Sequence, residues 1–211
     1  MIEMDVQLTA DGQIVVVHDW SLERLAGTPT IVETSTLAEI QKSNVARYFR
    51  PEGPPASIPT LISVFDAIDS STPCNLELKW KQSNAAAFIK AVAEIVTHRN
   101  RILLSSFNWD LLRECRRILA DKPLAPLAHT TLDSLLDVAE ELSAVSVNCN
   151  YKLIDREFVR AANARGYPVL AYTVNDSMTA KRLFELGVSG AFTNVPGQLL
   201  ENLRCAQSTK S

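Results

Sequence analysis

The sequence lacks the features of a membrane-spanning or nucleic-acid-binding protein. Its longest apolar stretches, such as AAAFIKAVAEIV, are interrupted by Lys or Glu and fall short of the roughly 18 uncharged residues that suggest a membrane span. Acidic residues outnumber basic ones, 24 against 21, and the formal net charge is -3. No run of like charges occurs, whereas nucleic-acid binders carry basic patches. We therefore expect neither a membrane span nor a nucleic-acid partner.

Paired cysteines and a signal peptide are missing as well. The four cysteines lie far apart with no C-x-x-C spacing, at Cys74, Cys115, Cys149 and Cys205. This pattern is typical of isolated reduced thiols and not of a zinc site or a disulfide framework. A signal peptide would begin with a basic segment and an apolar run, but Glu3 and Asp5 stand there. The sequence therefore favours a cytoplasmic location.

Short apolar runs alternate with segments of helical period along most of the 211 residues. The predicted strands cover residues 2–8, 75–79, 102–107, 124–129, 145–150, 169–174 and 191–194. The predicted helices cover residues 60–69, 84–98, 110–120, 132–142, 155–165, 177–186 and 198–204. Such alternation predicts βαβ units and a parallel sheet covered by helices. A further apolar run, residues 14–17, follows a turn at Gly12 and is interpreted as a hairpin within an insertion.

The number of predicted strands bears on the fold class, because a closed barrel needs eight. The alternative is an open doubly wound sheet, but TADGQ, which follows the first strand, does not match the G-x-G-x-x-G phosphate turn of that fold. We therefore predict an α/β fold, a TIM-type (β/α)8 barrel that lacks its first β/α unit and has seven parallel strands. It would form a single domain over residues 1–211, with residues 9–59 as an insertion of a short hairpin and loop.

Two predicted strands carry charged side chains on one face. Residues i and i+2 of a strand share a face, so Glu3 and Asp5 point one way, as do Glu77 and Lys79 in CNLELKW. Carboxylates that converge inside a barrel need a positive partner, and oxygen ligands suit Mg²⁺ or Ca²⁺. The alternative is that these charges are the solvated faces of edge strands. Spacing alone does not decide between the two.

The histidines of the sequence give a weaker signal. His18 follows the hairpin run, precedes Asp19, and could exchange protons because a histidine titrates near neutral pH. A lone histidine is more often structural, so His18 by itself does not establish a site. His98 ends a predicted helix and is interpreted as a surface residue. His129 ends a predicted strand.

Several motifs together resemble the glycerophosphodiester phosphodiesterase family. They are, in this order, MIEMDVQLTADGQIVVVHDWSLER, NLELK, LLSSF, YTVND and GVSGAFTNVP, and they extend from residue 1 to about residue 197. LLSSF, NCNYKLID and AYTVN are most similar to the small cytoplasmic bacterial members. The resemblance implies a (β/α)8 barrel with its active site at the C-terminal ends of the strands. The activity it implies is cleavage of a glycerophosphodiester to sn-glycerol 3-phosphate and an alcohol.

The resemblance also implies roles for individual residues. Glu3, Asp5 and Glu77 would bind one divalent cation, Mg²⁺ or Ca²⁺. His18 would be one of two catalytic histidines and would protonate the leaving oxygen. In the family, the metal and nearby cationic side chains stabilise the charge that develops on the phosphate.

Three further residues match family positions that contact the substrate. Lys79 corresponds to the family lysine near the phosphate. Phe107 and Tyr172 correspond to residues that line the substrate pocket, with Tyr172 in place of a tryptophan that is common in the family. The resemblance thus implies a small-molecule glycerophosphodiester as the ligand.

The sequence departs from the family in one respect. Family members begin with a strand that ends in His-Arg-Gly and a helix that carries Pro-Glu-Asn-Thr, and neither string occurs here. We therefore expect the second catalytic histidine and a phosphate-binding arginine to be missing, and the open sheet edges to favour self-association. Three hypotheses remain: Met1 is an internal methionine of a longer active enzyme; the chain binds phosphodiesters or metal without catalysis; or it is a different barrel enzyme, related to aldolases or enolases.

Overall fold

The computed structural model describes residues 1–81, 84–97 and 99–208. His98, interpreted above as a surface residue, lies outside these ranges. The chain divides into two compact units, Met1–Pro123 and Leu124–Ser211. Within the described ranges, none of the helices combines the length and the apolar content that crossing a bilayer requires.

The first unit contains four strands in the order β2-β1-β3-β4. Strands β1 (Ile2–Leu8), β3 (Cys74–Leu78) and β4 (Ile102–Ser106) are parallel, and β2 (Ile14–Val16) pairs with β1 in the antiparallel sense. The core residues of β3 are Leu76 and Leu78, at most 2 % exposed. This sheet is buried because helices cover it, as expected for parallel strands.

Two long helices of the first unit begin at asparagine caps. The Asn84 side chain accepts a hydrogen bond from Ala87 N at the start of α4 (Ala85–Val96), and Asn108 does the same for Leu111 N at the start of α5 (Trp109–Ile118). A side-chain oxygen at this position satisfies an amide that has no partner within the helix. Asn108 therefore fixes where β4 turns into α5, beside the candidate site. The remaining helices of this unit are α1 (Glu23–Ala26), α2 (Leu37–Ile40) and α3 (Leu61–Ala67).

The predicted insertion, residues 9–59, contains more regular structure than a hairpin and loop. Besides β2 it includes α1, α2 and two 3₁₀ turns, Val32–Thr34 and Val45–Tyr48. Its buried side chains form their own cluster, which consists of Val15, Val17, Leu22, Leu25, Val32, Ile40 and Ile58. The helix α2 begins with a capping box between Thr36 and Glu39. The segment after β2 is thus held by packing and by local hydrogen bonds.

The second unit contains four parallel strands in the order β5-β6-β7-β8, each followed by a helix. The strands are β5 (Leu124–Ala128), β6 (Val147–Asn150), β7 (Val169–Tyr172) and β8 (Gly190–Ala191), and the helices are α6 (Leu135–Glu141), α7 (Arg156–Ala164), α8 (Ser177–Leu186) and α9 (Pro196–Ser208). The side chain of Asp176 caps α8, and Gly187 ends it. Gly187 has a φ of 99°, a conformation that favours glycine.

The strand count agrees with the sequence prediction. Among the residues that the structure describes, three strands of the first unit and four of the second run parallel to their neighbours in the same unit, and only β2 is antiparallel. The strand β8 is shorter than predicted, because only Gly190 and Ala191 pair with β7. The predicted succession of β/α units is therefore confirmed.

Candidate active site

Three carboxylate side chains come together in the first unit. Asp5 of β1 lies opposite Glu77 of β3 in the parallel register, and Glu3 lies on the same face of β1 as Asp5. One oxygen from each of the three lies within 4.8 Å of the others. Such an all-oxygen arrangement can hold one hard divalent cation. The structure thus brings together the three residues that the sequence predicts as ligands.

A lysine partly balances the charge of this cluster. Lys79 Nζ lies 3.5 Å from Asp5 Oδ1 and 4.0 Å from Glu77 Oε1. Burial and then the charge of Asp5 raise the pKa of Glu77 to about 8, and Lys79 only partly opposes this. The single positive charge of Lys79 does not neutralise the three carboxylates. A bound divalent cation would supply the missing positive charge.

Glu3 is perturbed in the same direction. The residue as a whole is exposed, but its carboxyl end lies within the cluster. Partial burial there and the charge of Asp5 raise the pKa of Glu3 to about 7. Near neutral pH the cluster therefore holds protons that a bound cation would displace.

His18 lies just after β2 and is oriented by its neighbour. Its Nδ1 atom is 2.8 Å from Asp19 Oδ1, and the Arg24 guanidinium donates to the same carboxylate from Nε at 2.7 Å and from Nη2 at 3.0 Å. The hydrogen bond from Arg24 is the largest cause that lowers the pKa of Asp19. An ionised Asp19 favours a His18 ring that carries a proton on Nδ1. The Nε2 atom, on the side of the ring away from Asp19, is then available for proton exchange.

Gln7 holds the backbone around His18 and is a residue that sequence reasoning missed. It is 1 % exposed, and its Nε2 donates to the carbonyl oxygens of Val17 and Asp19, each at 2.9 Å. Gln7 continues the polar face that begins with Glu3 and Asp5. The sequence signal that could have revealed it is an amide side chain at the next i+2 position of the same face.

An open cavity of about 590 Å³ adjoins the carboxylate cluster, because Glu77 and Lys79 also line it. Its aromatic lining consists of Trp20, Trp80, Phe107 and Trp109. A second cavity, of about 450 Å³, contains His18 and shares Trp20 and Lys79 with the first. The structure thus places the predicted residues His18, Lys79 and Phe107 around two adjoining cavities.

Tyr172, the remaining predicted site residue, belongs to the second unit. It ends β7, and its hydroxyl donates to the carbonyl oxygen of Ala128 at 2.6 Å. Its ring is stacked on that of His129, with 6.3 Å between the centroids. These contacts hold Tyr172 at the C-terminal end of a strand, where the sequence predicts it.

Known proteins resemble this chain over most of its length. Residues 1–198 match the model of the glycerophosphoryl diester phosphodiesterase family. A glycerophosphodiester phosphodiesterase of Bacillus subtilis is 28 % identical in an alignment 215 residues long, which covers 92 % of this chain and 73 % of that protein. One from Caldanaerobacter subterraneus is 30 % identical over 208 residues, or 96 % of this chain and 85 % of that protein.

Solved structures are similar as well. A phosphodiesterase of Oleispira antarctica, solved with the product sn-glycerol-3-phosphate, matches with a TM-score of 0.88 and 25 % identity, over 94 % of this chain and 83 % of that chain. The glycerophosphodiester phosphodiesterase of Thermotoga maritima matches with a TM-score of 0.73 and 24 % identity, over 90 % and 80 % of the two chains. The fold is therefore shared across this group.

Proposed function

The chain belongs to the glycerophosphoryl diester phosphodiesterase family, and we propose that it hydrolyses glycerophosphodiesters to sn-glycerol 3-phosphate and an alcohol. Its seven parallel strands and the helices that follow them correspond to the TIM-type barrel fold of that family. Relatives that carry this enzyme name cover nearly the entire chain. The observation that carries the proposal is the cluster of Glu3, Asp5 and Glu77 beside Lys79.

Glu3, Asp5 and Glu77 would hold one divalent cation, Mg²⁺ or Ca²⁺. The donor set fits such an ion, because it offers only oxygen atoms and because burial, followed by the negative charge of Asp5, raises the pKa values of Glu3 and Glu77. When bound, the cation supplies Lewis-acid stabilisation of charge on the phosphate oxygens. Lys79 adds a fixed positive charge at the same place.

His18 serves as the general acid. Water forms the new bond to phosphorus and releases a proton to the solvent. As the bond between phosphorus and the alcohol oxygen breaks, Nε2 of His18 donates its proton to the leaving oxygen, which departs as the neutral alcohol. Asp19, held by Arg24, stabilises the imidazolium and keeps its orientation. Gln7 fixes the backbone on both sides of His18.

Phe107 and Tyr172 contact the substrate. Phe107 is 45 % exposed and lines the cavity that adjoins Glu77, so its ring is available to a ligand. For Tyr172 the support is its family position at the end of β7. Such aromatic side chains provide apolar contact for the carbon atoms of the substrate.

Location and association complete the proposal. Cys74, Cys115 and Cys149 are buried free thiols, which supports a reducing compartment such as the cytoplasm. The net charge of -3 argues against a nucleic-acid partner. Within the first unit, β2 covers β1 only at Val6–Leu8, so the start of β1 offers an edge that supports self-association.

The test is release of sn-glycerol 3-phosphate from glycerophosphocholine, measured with and without added Mg²⁺ or Ca²⁺. We expect release that depends on the cation and falls about 10²- to 10⁴-fold in His18→Ala, because a proton donor is lost. Glu77→Gln should weaken cation binding as well as activity. Glu94→Gln, which changes an exposed glutamate of α4, is the matched control.

The outcome decides between two of the hypotheses. Cation-dependent release that is lost in Glu77→Gln and kept in Glu94→Gln supports the enzyme. Cation binding without any release would instead make the chain a non-catalytic binder, and release that survives Glu77→Gln would contradict the assigned ligands.

A further inference from the structure

We propose that the cavity lined by Trp20, Trp80, Phe107 and Trp109, hereafter the tryptophan cavity, binds the alcohol part of the substrate and selects one with a quaternary ammonium group. That the ligand is the leaving alcohol rests on the proposed function. The binding of a quaternary ammonium cation rests on the cavity alone.

The tryptophan cavity concentrates a scarce residue at one place. The chain has 3 tryptophans, and all of them line this cavity of about 590 Å³ together with Phe107. They come from three different segments: Trp20 follows β2, Trp80 follows β3, and Trp109 begins α5. Aromatic side chains from separate segments that surround one space are the arrangement that recognises quaternary ammonium groups.

The position of the cavity suits the leaving alcohol. It adjoins Glu77 and Lys79 of the carboxylate cluster, where the phosphate is expected. Trp20 also lines the cavity of His18, the proposed proton donor to the leaving oxygen. A substrate whose phosphate lies at Lys79 can therefore extend its alcohol part along Trp20 into the tryptophan cavity.

The ring of Trp20 already accepts ammonium groups. The Nζ atoms of Lys79 and Lys81 each lie 5.4 Å from its centroid, within the roughly 6 Å of a cation–π contact. The ring thus provides a π surface that suits a cation.

The charges around the cavity do not oppose a cationic ligand. Lys79 lies close to Asp5 and Glu77, and Arg113 lies 2.7 Å from Asp110. Each cation of the lining thus has a carboxylate beside it. Lys81 contacts the Trp20 ring but does not line the cavity. Within the lining itself, a bound ammonium group would meet aromatic side chains and cations that each lie beside a carboxylate.

The neutral polar side chains of the lining favour a quaternary ammonium over a primary one. The Ser106 hydroxyl donates to the carbonyl oxygen of Leu78 at 2.8 Å and accepts from Asn108 N at 3.1 Å. The Asn108 side-chain oxygen accepts from Leu111 N at 2.9 Å. These groups are engaged in the protein's own hydrogen bonds. A primary ammonium or a hydroxyl needs hydrogen-bond partners on leaving water, whereas a trimethylammonium group needs none.

The test measures binding without turnover. Choline and its neutral isostere 3,3-dimethylbutanol are titrated separately into the protein, and tryptophan fluorescence reports on binding because all three tryptophans line the cavity. We expect choline to bind at least about fivefold more tightly than the isostere, since only choline carries the charge. Equal affinities would overturn the proposal.

Substitutions at Trp20 separate the aromatic contribution from apolar area. Trp20→Leu keeps apolar area and should weaken choline binding about tenfold, while Trp20→Phe keeps an aromatic face and should weaken it only about threefold. Phe184→Leu, at an exposed aromatic of α8, is the control and should bind choline as the unchanged protein does. Unchanged choline affinity in Trp20→Leu would refute the cavity's role.

Turnover then connects the cavity to the reaction. The ratio of kcat/KM for glycerophosphocholine over glycerophosphoethanolamine should exceed one and should fall in Trp20→Leu. Equal rates with the two diesters would overturn the selection of the alcohol. Choline binding without cleavage of any diester would leave the cation site standing and would refute only the proposed function.

Discussion

Cation binding at the carboxylate cluster should release protons in a pH-dependent manner. Metal-free Glu3 has a pKa of about 7 and Glu77 one of about 8. At pH 7 at least about half of each group would be protonated, so coordination would displace about one to two protons. At pH 9, above both pKa values, the number should be clearly smaller.

The stability of the metal-free protein should fall as pH rises through the range in which these two groups titrate. An ordinary ion-paired carboxylate has the opposite effect, because it makes stability rise with pH. The pKa values of both groups lie above the ordinary value of 4.5, so the folded state binds more protons than the unfolded state between about pH 4.5 and 8. Stability is therefore highest below this window and falls as pH rises through it. For Glu77, whose side chain is 16 % exposed, the loss is at most about 5 kcal/mol.

Calorimetry can measure both effects. Titration of Mg²⁺ or Ca²⁺ in two buffers of different ionisation enthalpy gives the number of protons released, and scanning calorimetry at pH 5 and pH 8 gives the stability. Glu77→Gln should reduce proton release at pH 7 to about half a proton or less per cation bound, because only Glu3 still holds a displaceable proton. The same proton number at pH 7 and pH 9, or a metal-free protein that gains stability from pH 5 to pH 8, would refute the reasoning.

Three other substitutions test the surroundings of the site and the core. Gln7→Met removes the donor to two backbone carbonyls and should cost about 1 to 3 kcal/mol, with faster amide exchange around His18 in hydrogen-exchange mass spectrometry; unchanged exchange would contradict its role. Asp19→Asn should lower kcat at least about tenfold with cation affinity unchanged in calorimetry, and equal losses in both would point to general disruption. Leu76→Ala, at a fully buried position of β3, should cost about 2 to 5 kcal/mol in urea unfolding, and a cost under about 1 kcal/mol would argue against a packed core there.

The order of the strands and helices could be predicted because each β/α unit leaves a strong local pattern. The asparagine and aspartate caps, together with the left-handed glycine at Gly187, mark where helices begin and end. The convergence of the carboxylates was predictable for the same reason. Strand periodicity places Glu3 and Asp5 on one face, and a parallel β1–β3 pair brings Glu77 opposite Asp5.

The insertion could not be predicted in the same way. The helices α1 and α2 have 4 residues each, which is too short for a helical period to be recognised. Their positions depend on the cluster of buried side chains around Val32 and Ile40, a set of contacts between distant parts of the chain. The role of Gln7 was missed for a related reason. Its place on the polar face of β1 follows from the i+2 spacing, but its hydrogen-bond partners are backbone carbonyls, which have no sequence signature.

The site divides its tasks between two kinds of structure. The proposed ligands Glu3, Asp5 and Glu77 lie within strands, whose ladder hydrogen bonds fix the distances between carboxylates that a cation requires. Trp20, Trp80 and Trp109 lie in segments just beyond strand ends. A substitution there changes the shape and the π surface of the cavity without moving a ligand. Under the proposed assignment, selection of the alcohol can therefore vary while the phosphate site stays the same. The strand pattern reveals the face that carries the carboxylates, whereas the tryptophans, isolated in sequence, share a cavity only in three dimensions.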